Sequence, residues 1–152
     1  MRTLPDSIVA VILGHEEAGM TDSPAYLGAI GEYCARFLIH TTPMPPEVDN
    51  AFATLNAELY GYTWGPAEWR ATGTLRTFER EGRLGELRLP VLYTAGEFDE
   101  VVPSTIDRFR SLTPGARLEV IEGAAHMTMN DRPERTIEAI RRFLREVEGG
   151  RP

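Results

Sequence analysis

The chain has 152 residues, of which 42% are hydrophobic and 26% charged. This predicts one folded globular domain, or a small one with an appendage, rather than a disordered segment. Its formal charge of −7, without a cluster of basic residues, argues against nucleic-acid binding. No apolar run is long enough to span a bilayer, so no membrane partner is expected. The N-terminus has no secretory pattern, and we therefore expect a cytoplasmic protein.

The first half of the chain has the pattern of helices. The segment "LPDSIVAVILGHEEAG" has a Pro-Asp-Ser start, an apolar body and a stop at Gly19. In "TDSPAYLGAIGEYCARFLIH", Ser23 is the predicted N-cap and Pro24 the first helical residue. An apolar face follows at helical spacing, formed by Tyr26, Ile30, Tyr33 and Phe37. A helical or irregular segment, "VDNAFATLNAELYGY", and an ordered loop, "TWGPAEWRATGTL", complete this half.

The second half alternates strands and helices. The segments "LPVLYTAG" and "ARLEVIEG" are short apolar runs typical of buried strands, and the predicted helix "PSTIDRFRSLT" lies between them. The last segment, "DRPERTIEAIRRFLREVEGG", is a predicted helix with Asp131 and Glu134 as a capping pair. Its apolar stripe consists of Ile137, Ile140, Leu144 and Val147. This order predicts parallel strands joined by a crossover helix, and hence an α/β sheet.

Asp99 and His126 each follow a predicted strand. Because the carboxyl ends of parallel strands lie at one edge of a sheet, the two side chains are expected at the same edge. An aspartate there can hold one imidazole nitrogen while the other takes a proton from a hydroxyl group. Each residue also has a simpler interpretation, since Asp99 could cap the helix near Pro103 and His126 could be a solvated loop residue.

Two longer stretches make the pattern specific. "LPVLYTAGEFDEVVP" with "PGARLEVIEGAAHMTMNDRPER" resembles the last part of the α/β-hydrolases of the proline iminopeptidase family. Upstream, "HEEAGMTDSPAYLGAIGEYCARFLIH" and "WGPAEWRATGTLRTFERE" resemble the helical cap of that family. The resemblance implies an α/β fold with a cap-like region at 1–81 and part of the hydrolase core at 82–150.

The same resemblance implies roles for individual residues. Asp99 corresponds to the acid of a catalytic triad and His126 to its base, while Glu68 and Glu100 correspond to the glutamates that hold the free α-amino group of a peptide. Paired carboxylates suit a terminal ammonium group because they accept charge-assisted hydrogen bonds from it. Trp64 is a candidate wall of a substrate pocket, although packing within the cap is the commoner explanation of such an aromatic residue and is favoured here.

Several other sites are not expected. "HEEAG" lacks the second histidine of a zinc-binding H-E-x-x-H motif, because Gly19 stands in its place. The single cysteine, Cys34, excludes an internal disulfide. No nucleotide-binding glycine loop is present, so neither a metal nor a cofactor is expected.

The nucleophile of such a hydrolase is missing from these 152 residues. None of the four serines, Ser7, Ser23, Ser104 and Ser111, lies in a G-x-S-x-G pattern. The sequence is therefore expected to be the C-terminal portion of a longer enzyme: a truncated gene, a mis-called start or one piece of a split protein. Its expected partners are a peptide with a free N-terminus and the missing N-terminal half of the hydrolase. The alternative is a non-catalytic module that binds amines or peptides, or a structural subunit.

Overall fold

The computed structural model describes residues 4–149. Helices occupy most of the first half, and two strands appear only in the second half. In chain order, the elements are α1 (Asp6–Glu17), α2 (Pro24–Phe37), α3 (Pro46–Ala53), α4 (Ala57–Thr63), 3-10 helices at Thr74–Thr77 and Glu81–Glu86, β1 (Leu92–Gly96), α5 (Pro103–Leu112), β2 (Arg117–Ile121), α6 (Thr128–Asp131) and α7 (Pro133–Gly149).

The described chain forms two compact units. The first contains the described residues up to Arg36 together with Thr41–Phe78, and the second contains Phe37–His40 and the described residues from Glu79 onward. The predicted division between residues 81 and 82 thus lies close to the start of the main part of the second unit. Residues 1–3 and 150, which the two predicted regions include, lie outside the described residues.

Helices α1 and α2 of the first unit follow the predicted signals. The chain turns after α1 at Gly19, whose φ of 68° lies in the left-handed region that favours glycine. Ser23 caps α2, because its Oγ accepts a hydrogen bond from the backbone N–H of Tyr26 at 3.2 Å. On the predicted apolar face of α2, Tyr26, Tyr33 and Phe37 are buried. Tyr26 and Tyr33 of this face belong to the apolar core of the first unit.

Two helical segments of the first half, the end of α2 and the stretch after it, are shorter than the sequence pattern indicates. Helix α2 ends at Phe37, short of the predicted end at His40. The segment "VDNAFATLNAELYGY" contains the end of α3 and most of α4, with a break between them. Asn56 explains the restart, because its side chain accepts a hydrogen bond from the N–H of Leu59 at 2.9 Å and thereby caps α4.

The sheet of the second unit is parallel, as predicted. Strand β1 pairs with β2 in a register that places Leu92 opposite Arg117 and Gly96 opposite Ile121. Helix α5 is the crossover between them. In the described part of the chain the sheet has only these two strands, so each has an outer edge without a neighbouring strand. An exposed edge around residues 91–93 favours association with another strand, and that tendency remains a prediction.

The buried face of α7 differs from the predicted stripe. Thr136 and Ala139 are the buried residues of this helix, whereas Ile140 and Leu144 are exposed. Ala139 packs in a buried cluster with Ile121 and Ala124. Helix α7 begins at Pro133, so Asp131 is not its N-cap residue but the last residue of α6.

Within residues 4–149, no helix combines the length and the apolar character that crossing a membrane requires.

Candidate active site

The two loops that follow β1 and β2 are hydrogen-bonded to each other. The N–H of Glu97 donates to the carbonyl of Ile121 at 3.0 Å, and the N–H of Phe98 donates to the carbonyl of Ala124 at 2.9 Å. In return, the Glu97 carboxylate accepts from the N–H of Gly123 at 2.9 Å. These bonds fix the loop that carries Asp99 against the loop that carries His126.

Gly96 allows this close approach at the end of β1. A Cβ added at this position would lie 2.1 Å from the carbonyl oxygen of Ala125 and 2.5 Å from that of Ala124. Both distances are far below van der Waals contact and involve backbone atoms, which cannot rotate away as a flexible side chain can. Only glycine fits at this point of the site.

The two predicted triad residues meet at this edge. His126 Nδ1 lies 2.9 Å from Asp99 Oδ1. The Asp99 carboxylate is 4% exposed and also accepts from the N–H of Val101 at 2.9 Å and of Gly96 at 3.1 Å. An ionised carboxylate only accepts, so a neutral imidazole must place its proton on Nδ1. Its Nε2 is then the unprotonated nitrogen, as a general base requires.

The imidazole of His126 is exposed enough for a reacting group to approach Nε2. The His126 side chain is 44% exposed, although Asp99 beside it is buried. Glu100 lies on the other side of the ring, with Oε1 at 4.0 Å from Nε2. The negative charge of the Glu100 carboxylate favours a positively charged group beside the His126 ring. Asp99, His126 and Glu100 thus come together within the second unit.

Sequence reasoning missed a buried carboxylate behind His126. Asp131 is 6% exposed and accepts hydrogen bonds from the backbone N–H groups of Ala125 and His40, each at 2.9 Å. The sequence pattern assigned it to a helix cap. Its position five residues after His126 was the available signal, but its partner His40 is distant in the chain.

Glu68 and Trp64 lie in the first unit and contact each other. The indole Nε1 of Trp64 donates to the backbone carbonyl of Glu68 at 3.1 Å. The Glu68 carboxylate accepts a short hydrogen bond from the hydroxyl of Tyr60, and the Glu68 residue is exposed. Trp64 therefore supports the backbone of Glu68, and its role in a pocket wall stays a prediction.

Glu16 of the "HEEAG" segment is a second residue that sequence reasoning missed. Its side chain is only 8% exposed, and it accepts from the Tyr26 hydroxyl at 3.2 Å, from Trp69 Nε1 at 2.9 Å and from an Arg70 guanidinium nitrogen at 2.9 Å. This carboxylate joins α1, α2 and the segment that contains Glu68. The "HEEAG" segment, for which no zinc site was expected, thus contains an internal anchor of the first unit.

Titration of Tyr26 provides a test of this anchor. Burial raises the pKa of the Tyr26 hydroxyl to about 12, and the charge and hydrogen bond of Glu16 add to the rise. Because the folded pKa lies above the unfolded value of about 10, the stabilisation is fully present below pH 10 and is lost as the pH rises through 12. In a phenolate absorbance titration, we expect the Tyr26 hydroxyl to ionise late, near pH 12. Tyr26→Phe should remove that late component, and its persistence would contradict the assignment.

In the part of the chain that the structure describes, no group of three or more His, Cys, Asp and Glu side chains could hold a metal ion.

Comparison with solved structures shows which class of protein has this arrangement. The chain superposes on the structure of VinJ with a TM-score of 0.90 and 29% identity, covering 95% of this chain and 49% of VinJ. It also superposes on proline iminopeptidase from Mycobacterium smegmatis, with a TM-score of 0.82 and 33% identity, over 94% of this chain and 48% of that one. The fold and the aspartate–histidine pair at its strand ends define the chain as an α/β-hydrolase.

Curated relatives narrow the class. The proline iminopeptidase of Heyndrickxia coagulans is 33% identical over 148 residues, which is 97% of this chain and 51% of that protein. Other relatives that carry the same name are 25% identical or more. By homology, the chain is a proline iminopeptidase-like α/β-hydrolase. It spans about half the length of the curated relatives it matches, and no family model matches it.

Proposed function

We propose that the chain contributes the acid, the base and the amine-binding carboxylates of a serine-type aminopeptidase that resembles proline iminopeptidase. The observation that carries the proposal is the hydrogen bond between His126 Nδ1 and the buried Asp99 carboxylate. This bond sets the tautomer in which Nε2 can accept a proton. A lone solvated histidine would have no such partner.

The proposed reaction needs a serine from outside these 152 residues, because none of the four serines in the chain lies in a G-x-S-x-G turn. His126 Nε2 takes the proton of that serine as its oxygen bonds to the scissile carbonyl carbon. The same proton passes to the leaving amine when the C–N bond breaks. Water then hydrolyses the acyl-enzyme with His126 again as base, while Asp99 stabilises the imidazolium in each half-reaction.

Substrate selection would depend on the acidic residues. Glu100 lies at the candidate base, and Glu68 is held in the first unit by Tyr60 and Trp64. We propose that the two glutamates together bind the free α-amino group of a peptide, since an exopeptidase must recognise that charge. Trp64 would form part of the wall beside it. The substrate class is then a peptide with a free N-terminus, often one that begins with proline.

The proposed partner of the chain is the half of the hydrolase that carries the nucleophile. Superposable proteins are about twice as long as this chain, and the described sheet has only two strands. A further parallel strand at the open edge of β1 would pair its free backbone groups. The same partner would supply the serine and the N–H donors for the oxyanion.

Assays with proline p-nitroanilide test the proposal. We expect no turnover above buffer from the purified 152-residue chain, because no acyl-enzyme can form without the serine. Co-expression with the N-terminal half of the Heyndrickxia coagulans relative should restore turnover. As a control, that N-terminal half expressed alone should be inactive.

Two outcomes would count against it. Turnover by the pure chain that disappears in His126→Ala would show that the nucleophile lies within the chain. A co-purifying but inactive complex, with the intact relative active in the same assay, would contradict the hydrolase function. Binding of a free-amine peptide by that inactive complex would then favour the non-catalytic module.

A further inference from the structure

The loop that presents His126 is held by backbone contacts on several sides. Its Ala124 and Ala125 are completely buried. The N–H of His126 donates to the carbonyl of Phe37 at 3.0 Å, and the N–H of Met127 donates to the carbonyl of Leu38 at 2.8 Å. The loop is therefore paired with the short segment that leaves α2, and not only with the end of β1.

Asp131 completes this arrangement with a charge. Its Oδ2 accepts from the N–H of Ala125 at 2.9 Å, and the N–H of His40 donates to both carboxylate oxygens, at 2.9 and 3.1 Å. One buried side chain thus joins the residue before His126 to the segment with which the His126 backbone pairs. Hydrogen bonds to a buried carboxylate are short and strong, and such a group is costly to bury without them.

We propose that Asp131 is a positioning residue for His126: its carboxylate clamps the Ala125 and His40 backbones and so holds the imidazole within reach of Asp99. The hydrogen bonds that carry the proposal run to the backbone N–H groups of Ala125 and His40, so the role proposed for Asp131 is exerted through the backbone. Its importance for catalysis rests on the proposed hydrolase function. The orientation of the ring, by contrast, can be measured without any activity.

Asparagine is the informative substitution at this position. Asp131→Asn keeps the shape but replaces one accepting oxygen with an NH₂ group, which faces a backbone donor. If the amide nitrogen takes the Oδ2 position, the N–H of Ala125 loses its acceptor. If it takes the Oδ1 position, the N–H of His40 loses its shorter bond and keeps only the one of 3.1 Å. Loss of a charge-assisted hydrogen bond should speed amide hydrogen exchange about ten- to hundredfold. We expect that increase at Ala125, His126 and Met127.

The ring itself gives the decisive measurement. The chain has three histidines, so the imidazole ¹⁵N signals can be assigned with His15→Gln and His40→Gln. In the parent chain, at a pH at which the imidazole is neutral, we expect His126 to carry its proton on Nδ1. In Asp131→Asn, we expect a shift toward the Nε2-protonated form that an unheld histidine favours.

Tyr93→Phe is the matched control. It removes a side-chain hydrogen bond of 2.8 Å to Thr113 within the same unit and should leave the tautomer and the three amides unchanged. An Asp131→Asn variant that is destabilised but has the parent tautomer and parent exchange at these amides would overturn the proposal, because a purely structural residue behaves in that way.

Asp131→Glu gives a second readout if the asparagine variant does not fold. It keeps the charge but displaces the oxygens by one methylene group, so we expect faster exchange at the same amides and a partial change of tautomer. Parent-like values in Asp131→Glu would overturn the claim that the position of this carboxylate orients the ring. Neither result depends on nitroanilide turnover, so failure of this proposal and failure of the hydrolase function can be told apart.

Discussion

In an enzyme assembled from this chain and the half that carries the nucleophile, His126→Ala is expected to lower kcat for proline p-nitroanilide about 10,000-fold. The alanine has no group to accept the serine proton, and the imidazole that is hydrogen-bonded to Asp99 is lost. KM should change little, because the glutamates that are proposed to bind the amine remain. Initial rates over a range of substrate concentrations separate the two constants.

His15→Ala is the matched control for that experiment. The His15 ring is bonded to the carbonyl of Val11 within its own helix, at 2.8 Å, and has no place in the proposed reaction. The His15→Ala variant should retain nearly the parental rate.

Asp99→Asn should lower kcat by a factor similar to that of His126→Ala. The double variant should lose little more than either single variant, because the two residues act as a unit. Fully additive losses would show that the pair does not work together.

Gly96→Ala is expected to destabilise the chain by about 3 kcal/mol, or to prevent folding, because the added methyl group overlaps backbone atoms in a packed region. The carbonyl oxygens of Ala125 and Ala124 would lie 2.1 and 2.5 Å from the new Cβ. Relief requires the His126 loop to move away from β1, which breaks the bonds between the two strand-end loops. Urea denaturation followed by circular dichroism measures the loss.

Gly85→Ala provides the comparison in the same unit. The nearest atom to a Cβ at that position is the carbonyl oxygen of Leu112 at 3.8 Å, an ordinary contact. This variant should unfold at nearly the parental urea concentration. Equal midpoints for the two alanine variants would refute the steric role assigned to Gly96.

The edge at which Asp99 and His126 meet could be predicted from the sequence, because it follows from local patterns. Two short apolar runs separated by a helical segment imply parallel strands, and parallel strands place the residues after them at one edge. The orientation of the ring could not be predicted in this way. It depends on contacts such as Asp131 with His40, between residues that are far apart in the chain.

The errors in element boundaries have the same origin. The helical pattern of α2 continues to His40, but the helix ends at Phe37. The carbonyls of Phe37 and Leu38 instead accept from the N–H groups of His126 and Met127. Similarly, the structural role of Glu16 could not be predicted, because its partners Trp69 and Arg70 come from a distant segment. Tertiary hydrogen bonds overrode the local signal in each case.

The assignment of Phe37–His40 to the second unit limits how the chain can be divided in protein engineering. A cut at the apparent boundary near Glu79 would give a polypeptide that contains both strands, Asp99 and His126, and it would resemble a self-sufficient module. It would nevertheless lack the carbonyl groups to which the N–H groups of His126 and Met127 donate. It would also lack the backbone N–H from which the Asp131 carboxylate accepts a hydrogen bond. Transplanting the histidine loop to another scaffold therefore requires four residues from the middle of the preceding helical region.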